Sequence, residues 1–297
     1  MTPAEKERLR SMILDAGAVA AGFSAADVES KSQTQAFASW LARGMNASMQ
    51  WMESHARLRT SPENILPSAS TIITAAFPFA PAPGERHNPL VAAYAQGDDY
   101  HKVLKRRLKP VTAYLCSEWG AKTRICVDSA PVAERYRALR AGIGHRGKSG
   151  MIIAPSGGCA LFLAEILTDV AIEPDAPSAA DFWEGCSGCT RCIDACPAKA
   201  IGENGEVDCR RCLSYLTIEH QGEWTGDISE PEAPLFGCDV CLRVCPAFPK
   251  IGTRLPEFAP AGEVVDFSRE DFGRLSADEL RRRFAGKALV RIARRKK

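Results

Sequence analysis

The sequence predicts an α+β protein in two parts, a mixed helix-and-strand domain followed by a small module that cannot bury a conventional core. Three observations carry this. Over the first 175 residues, stretches with helical apolar spacing alternate with short β-rich apolar runs. Nine of the twelve cysteines fall between Cys186 and Cys245. Between the two regions lies Glu173-Pro174-Asp175-Ala176-Pro177-Ser178, a turn-rich linker. The expected divisions are residues 1–178, 179–250 and a basic tail, 251–297.

The elements follow in order. Thr2-Pro3-Ala4-Glu5 reads as a helix start, with Thr as cap, Pro in the first turn and Glu closing a capping box. Helical apolar spacing then marks Lys6–Ala16, Gln35–Ala42, His101–Trp119 and Pro131–Ala141. The strand candidates are Thr71–Phe77, Thr123–Val127, Met151–Ala154 and Leu161–Leu167. From Phe182 to about Pro249 the chain turns to Cys, Gly, Asp and Arg, so whatever the cysteines bind must hold that module together. Ser276-Ala277-Asp278-Glu279 caps a last helix, and Arg281 to Lys297 carries nine basic residues and no acid.

Composition excludes several function classes. The chain has 297 residues, 45% hydrophobic and 25% charged, which are globular proportions. Its net charge of +2 commits it to neither nucleic acid nor membrane, so any polyanion site must be local. Lys6 to Arg10 is charged at every position but Leu9, which is no signal peptide. The uncharged stretches Pro67–Gly84 and Gly150–Ala164 are broken by Pro and Gly and do not read as membrane spans. A soluble cytoplasmic protein is expected. In that reducing compartment, clustered cysteines are metal ligands rather than a disulfide framework.

Cys186-x-x-Cys189-x-x-Cys192-x-x-x-Cys196-Pro197 is the bacterial ferredoxin run, whose fourth Cys ligates the other cluster in two-cluster proteins. Cys238-x-x-Cys241-x-x-x-Cys245-Pro246 is a shorter second run that lacks one upstream ligand, which Cys212 or Cys209 can supply. Eight thiolates then serve two [4Fe–4S] clusters. Cys186, Cys189, Cys192 and Cys245 are assigned to one cluster. Cys196, Cys238, Cys241 and Cys212 are assigned to the other. Structural zinc is disfavoured, because zinc sites pair two separate C-x₂-C knuckles.

Gly142-Ile143-Gly144-His145-Arg146-Gly147-Lys148-Ser149 satisfies both the phosphate-loop and the dinucleotide pattern. Both need a strand before and a helix after, and here the order is reversed, so a helix stop and tight turn is the better reading. Taken alone, Asp128 reads as a turn or capping residue and His101 as a helix-entry histidine. Asp99-Tyr100-His101-Lys102-Val103-Leu104 fails the D-x-H-x-x-G cobalamin motif at Leu104. Cys116, Cys126 and Cys159 sit in apolar runs and are expected to pack as small hydrophobes.

Several segments together resemble the epoxyqueuosine reductase family. They are Ala92 to His101 (AAYAQGDDYH), Val127 to Arg135 (VDSAPVAER), Ala141 to Lys148 (AGIGHRGK), Leu161 to Asp169 (LFLAEILTD), Arg211 to Glu219 (RCLSYLTIE) and Phe236 to Asp239 (FGCD). The resemblance implies a nitroreductase-like cobalamin-binding domain followed by a ferredoxin-like double [4Fe–4S] domain. It implies reduction of epoxyqueuosine to queuosine at the wobble position of a tRNA anticodon stem-loop. It makes Asp128 the proton donor, places cobalamin near Asp128, Ile152, Leu163, Ser214 and Asp239 with the Lys148 loop adjoining, and selects Cys212 over Cys209. It further implies a low-potential donor such as flavodoxin or ferredoxin, and a monomer. The chain departs from the family pattern at His145-Arg146, at Ala93, and in lacking the C-terminal helical repeats that help typical members hold tRNA.

A carboxylic acid that donates a proton near neutral pH needs a raised pKa, so Asp128 is expected to be partly buried. The last few residues of the basic tail, Arg291 to Lys297, are expected to form a flexible arm that contacts RNA phosphates. Two other functions compete: a cobalamin and iron–sulfur reductase acting on a small molecule, as reductive dehalogenases do, and an electron-transfer ferredoxin without cobalamin.

Overall fold

A computed structural model describes residues 1–180, 182–249 and 254–296. Its centre is a four-stranded antiparallel sheet in the order β1-β2-β6-β3. The strands are β1 (Ala20–Ala25), β2 (Thr71–Pro78), β3 (Thr123–Cys126) and β6 (Leu161–Thr168). A separate two-stranded ribbon pairs β4 (His145–Arg146) with β5 (Ile152–Ile153). Strand β2 is buried at every position, as a central strand covered on both faces must be.

Helices α1 (Pro3–Asp15) and α3 (Tyr100–Trp119) cover one face, where Leu9, Ile13, Leu104 and Leu108 meet Phe23, Ile73, Phe77 and Ile166. Thr2 caps α1 with the expected capping box. Helix α4 (Glu134–Arg140) crosses the other face, where Ala138 and Ala141 join Ala76, Ile152 and Leu161. Close approach here requires glycine at position 22, since a Cβ would lie 2.0 Å from the Ala141 carbonyl oxygen. Helix α2 (Lys31–Ala42) reaches toward the cysteine module, its Trp40 indole donating to the Val207 carbonyl at 2.9 Å.

Two elements depart from expectation. Strand β1 is built from Ala, Gly and Ser around the single strand former Phe23 and carries little β-propensity of its own; pairing with β2 makes it a strand. Helix α4 begins at Glu134 rather than Pro131, because Asp128 to Ala133 form a turn that opens on a left-handed residue.

The tail is not a flexible arm. Ser276 caps α8 (Ala277–Arg283) as expected, but Leu280, Phe284, Leu289 and Ile292 are fully buried in the same core as α1 and α3. The basic residues find carboxylates from distant segments: Lys287 pairs with Asp98 at 2.6 Å, Arg291 with Glu219 and Arg295 with Glu230 at 2.5 Å. Arg281 and Arg283 have carboxylate partners as well, and side chains from Leu255 to Ala293 join the core that also takes Leu9 and Leu104. Cys116 also differs, being exposed on α3 with its thiol 3.2 Å from the Ala121 carbonyl, whereas Cys126 and Cys159 are buried. Among the described residues no helix is long and apolar enough to cross a membrane.

Candidate active site and cluster-binding cysteines

The cysteine module hangs on three short helices, α5 (Arg191–Asp194), α6 (Leu213–Ile218) and α7 (Val240–Arg243). One cavity is lined by Cys186, Cys189, Cys192 and Cys245, with Gly147 and Lys148 closing it from the first domain. This brings together the four thiols assigned to one cluster. The Lys148 ammonium donates to the Cys189 carbonyl at 3.1 Å, so the lysine serves this cavity rather than the Asp128 site. The glycine loop has the reversed order expected: helix α4 precedes it, Gly142 is left-handed, His145-Arg146 form strand β4, and a turn leads to strand β5.

The other set also converges. Burial pushes Cys241 up to about 12 and Cys238 up to about 11, and the neighbouring Cys212 and Cys196 push further on both. Cys212 is the N-cap residue of α6. Cys196 accepts the Ala200 amide at 3.3 Å. Burial likewise pushes Cys209 up to about 12, but Cys212 is the sole cysteine acting on it. The geometry gathers Cys212, not Cys209, with Cys196, Cys238 and Cys241. Cys159 is fully buried in the core as expected, its thiol 4.0 Å from the Leu242 carbonyl oxygen.

Asp128 lies just beyond the end of β3, at φ +51°, a conformation non-glycine residues adopt rarely. Its side chain is 53% exposed, so it can meet a bound molecule. One carboxylate oxygen, Oδ2, accepts the Tyr100 hydroxyl at 2.6 Å and faces His101 Nε2 at 3.2 Å. The opposite ring nitrogen of His101, Nδ1, is 2.7 Å from Asp99 Oδ1. His101 stacks on Tyr100, which stacks on Phe162 of β6, so the imidazole is held flat against the sheet. Asp99 caps α3 and donates its own amide to the Gly286 carbonyl at 2.8 Å, so the tail helps set this helix start. Gly97 just before it lets the tail approach, since a Cβ would fall 2.6 Å from Phe258 Cα.

The expected raised pKa of Asp128 is not found. Burial pushes its carboxyl up, but the bonds from His101 and Tyr100 and the charges of His101 and Arg291 outweigh it and leave it below its ordinary value. The proton sits on His101 instead. Burial would lower that imidazole, but the bonds to Asp128 and Asp99 raise it to about 9. At neutral pH the array is carboxylate, imidazolium, carboxylate. Spacing could not reveal His101, since its partner Asp128 is 27 residues away.

The remaining predicted residues lie on several elements. Leu163 is the one position of β6 not buried, and it packs in the same cluster as Ile152. Asp239 is buried and accepts the Ala93 amide at 2.6 Å. It joins Asp128 and Arg291 among the charged groups acting on Tyr94. Ser214 lies on α6, the helix that follows Cys212.

Residues 59–129 match the family model described as epoxyqueuosine reductase QueG, DUF1730, and residues 185–247 match the 4Fe-4S double cluster binding domain. An epoxyqueuosine reductase of Burkholderia pseudomallei is 35% identical over 91% of this chain and 75% of its own length. The chain belongs to the epoxyqueuosine reductase family. The epoxyqueuosine reductase of Synechocystis is 32% identical over 90% of this chain and 93% of its own length. A crystal structure of an epoxyqueuosine reductase with a tRNA-Tyr epoxyqueuosine-modified stem loop superposes with a TM-score of 0.84, at 28% identity, over 98% of this chain and 80% of that one. Another, from Bacillus subtilis, has its catalytic aspartate loop swung out of the active site; it superposes with a TM-score of 0.81 at 26% identity, over 98% and 80% of the two chains.

Proposed function

We propose that this protein reduces epoxyqueuosine to queuosine in a tRNA anticodon stem-loop, using two [4Fe–4S] clusters and cobalamin. The observation that carries the reading is the Asp99–His101–Asp128 array: a half-exposed carboxylate backed by a held proton, in the domain that also closes the cluster cavity. Opening an epoxide to an alkene consumes two electrons and two protons and releases water. Cobalamin, when bound, supplies the reduced metal that acts on carbon, and the clusters supply electrons one at a time.

The protein's residues do the rest. Cys186, Cys189, Cys192 and Cys245 hold one cluster; Cys196, Cys212, Cys238 and Cys241 hold the other. Leu163 and Ile152 offer an apolar floor, and Ser214 and Asp239 offer polar groups, a set that suits a large flat ring with amide-bearing edges. His101 stores one proton as imidazolium and relays it across its 3.2 Å contact through Asp128 to the departing epoxide oxygen, and a second proton, drawn from solvent through the same pair, completes the water. Tyr100 and Asp99 fix the orientation of the two partners. The electron donor is a low-potential carrier of the flavodoxin or ferredoxin kind, and the protein acts as a cytoplasmic monomer.

The test is anaerobic turnover of epoxyqueuosine-containing stem-loop RNA with cobalamin and a strong reductant. Queuosine formation that requires both cobalamin and RNA is expected. Turnover without cobalamin, or of a small halogenated substrate alone, would overturn the reading.

A further inference from the structure

Beneath Asp128 lie two acids that the reaction as described does not use. Glu165 stands on β6, opposite Thr74 of β2 and Cys126 of β3, and its exposure is zero. Among the described residues, neither of its carboxyl oxygens has a hydrogen-bond partner. Glu134 opens α4 beside it and accepts the backbone amide of Asp128 at 2.5 Å. A buried ionised carboxylate without donors is costly, so such a group keeps its proton. Burial, followed by the charge of Asp128, pushes Glu134 up to about 8, and burial raises Glu165 well above its ordinary value.

We infer that Glu134 is a latch on the Asp128 loop: its carboxyl oxygen grips the Asp128 amide and keeps the carboxylate turned toward Tyr100 and His101, above the buried and unpartnered Glu165 carboxyl. Glu134 is thus a positioning residue. The latch has something to oppose, because Asp128 sits in a left-handed turn that a side-chain-bearing residue leaves readily. The charged groups facing the pair are Asp128 beyond β3, Arg135 and Arg137 on α4, and Arg59 from the segment before β2. Arg137 is occupied elsewhere, bonding Asp27 Oδ1 at 3.0 Å and the Asp27 carbonyl at 2.6 Å. At high pH the buried Glu165 loses its own proton, its carboxylate then repels those of Asp128 and Glu134, and the grip fails.

The inference rests on Asp128 being the proton-transferring residue, and the experiment separates the two claims. The holoenzyme variants E134A, E134Q, E165Q and D128N are assayed for kcat, KM and pH profile with stem-loop RNA, after iron content and thermal midpoint confirm folding. E134A should lose about tenfold or more in kcat with little change in KM, and E134Q should restore most of it, since its carbonyl still accepts the amide. E165Q, which has no proton to lose, should hold its rate to higher pH, giving several-fold more activity than wild type near pH 9. An unmoved alkaline limb in E165Q, or a folded E134Q as slow as E134A, would overturn the latch. A folded E134A with wild-type kcat beside a slow D128N would overturn the latch alone. A D128N that turns over normally would overturn the Asp128 reading itself.

Discussion

Removing one carboxylate from the imidazolium array should be visible in a single titration. His101 lies between Asp99 and Asp128, is 22% exposed, and is raised from 6.5 to about 9. Each pKa unit corresponds to about 1.4 kcal/mol, so the site as a whole, carboxylates against burial, favours the charged ring by roughly 3 kcal/mol. The sign follows from linkage. Because the folded pKa lies above the unfolded one, this stabilisation is fully present below about 6.5 and is lost as pH rises through about 9. Asp128→Asn removes one carboxylate charge while Asp99 remains, so the His101 titration should fall by a unit or more and the stability lost between these pH values should shrink to match. The assay is histidine NMR of the diamagnetic oxidised protein, alongside thermal midpoints at pH 6 and 9.5. A wild-type His101 titrating at its ordinary value, or one unmoved by Asp128→Asn, would refute the assignment of the proton to His101.

Other outcomes follow from the same geometry. Anaerobically reconstituted wild-type protein should bind about eight irons, falling to about four in Cys212→Ser and staying at eight in Cys209→Ser, as iron and sulfide analysis would show. Asp128→Asn should keep both clusters and slow turnover by about 10² or more in a single-turnover assay. Ile292→Ala, at a position of zero exposure, should cost about 2–5 kcal/mol in denaturant unfolding, whereas an arm free in solution would lose nothing. Chelating the iron should unfold the cysteine module while the sheet persists, which circular dichroism and proteolysis would separate.

The cysteine module was legible because its chemistry is local: ligands three and four residues apart declare themselves in a linear string. Asp128 was legible through family resemblance alone, since a lone Asp after a strand looks like a turn. His101 escaped because its partners come together only when α3 docks beside β3. Glu165 escaped for the opposite reason, sitting unremarked in the apolar run Leu161–Leu167. The tail was misread because its charge count is conspicuous and its apolar spacing is not. Ala288, Leu289, Ile292 and Ala293 recur at helical spacing between the arginines, and they are what the fold buries.

That burial has a bearing on how the molecule is made. Leu9 and Ile13 near the start of the chain share one continuous core with Leu289 and Ile292 near its end, and the whole cysteine module lies between them in sequence. During synthesis the cysteines emerge while the core that will support them still lacks its last wall. Residues 254–296, made after the module, then close over Asp99 and the start of α3, where the Gly286 carbonyl takes the Asp99 amide.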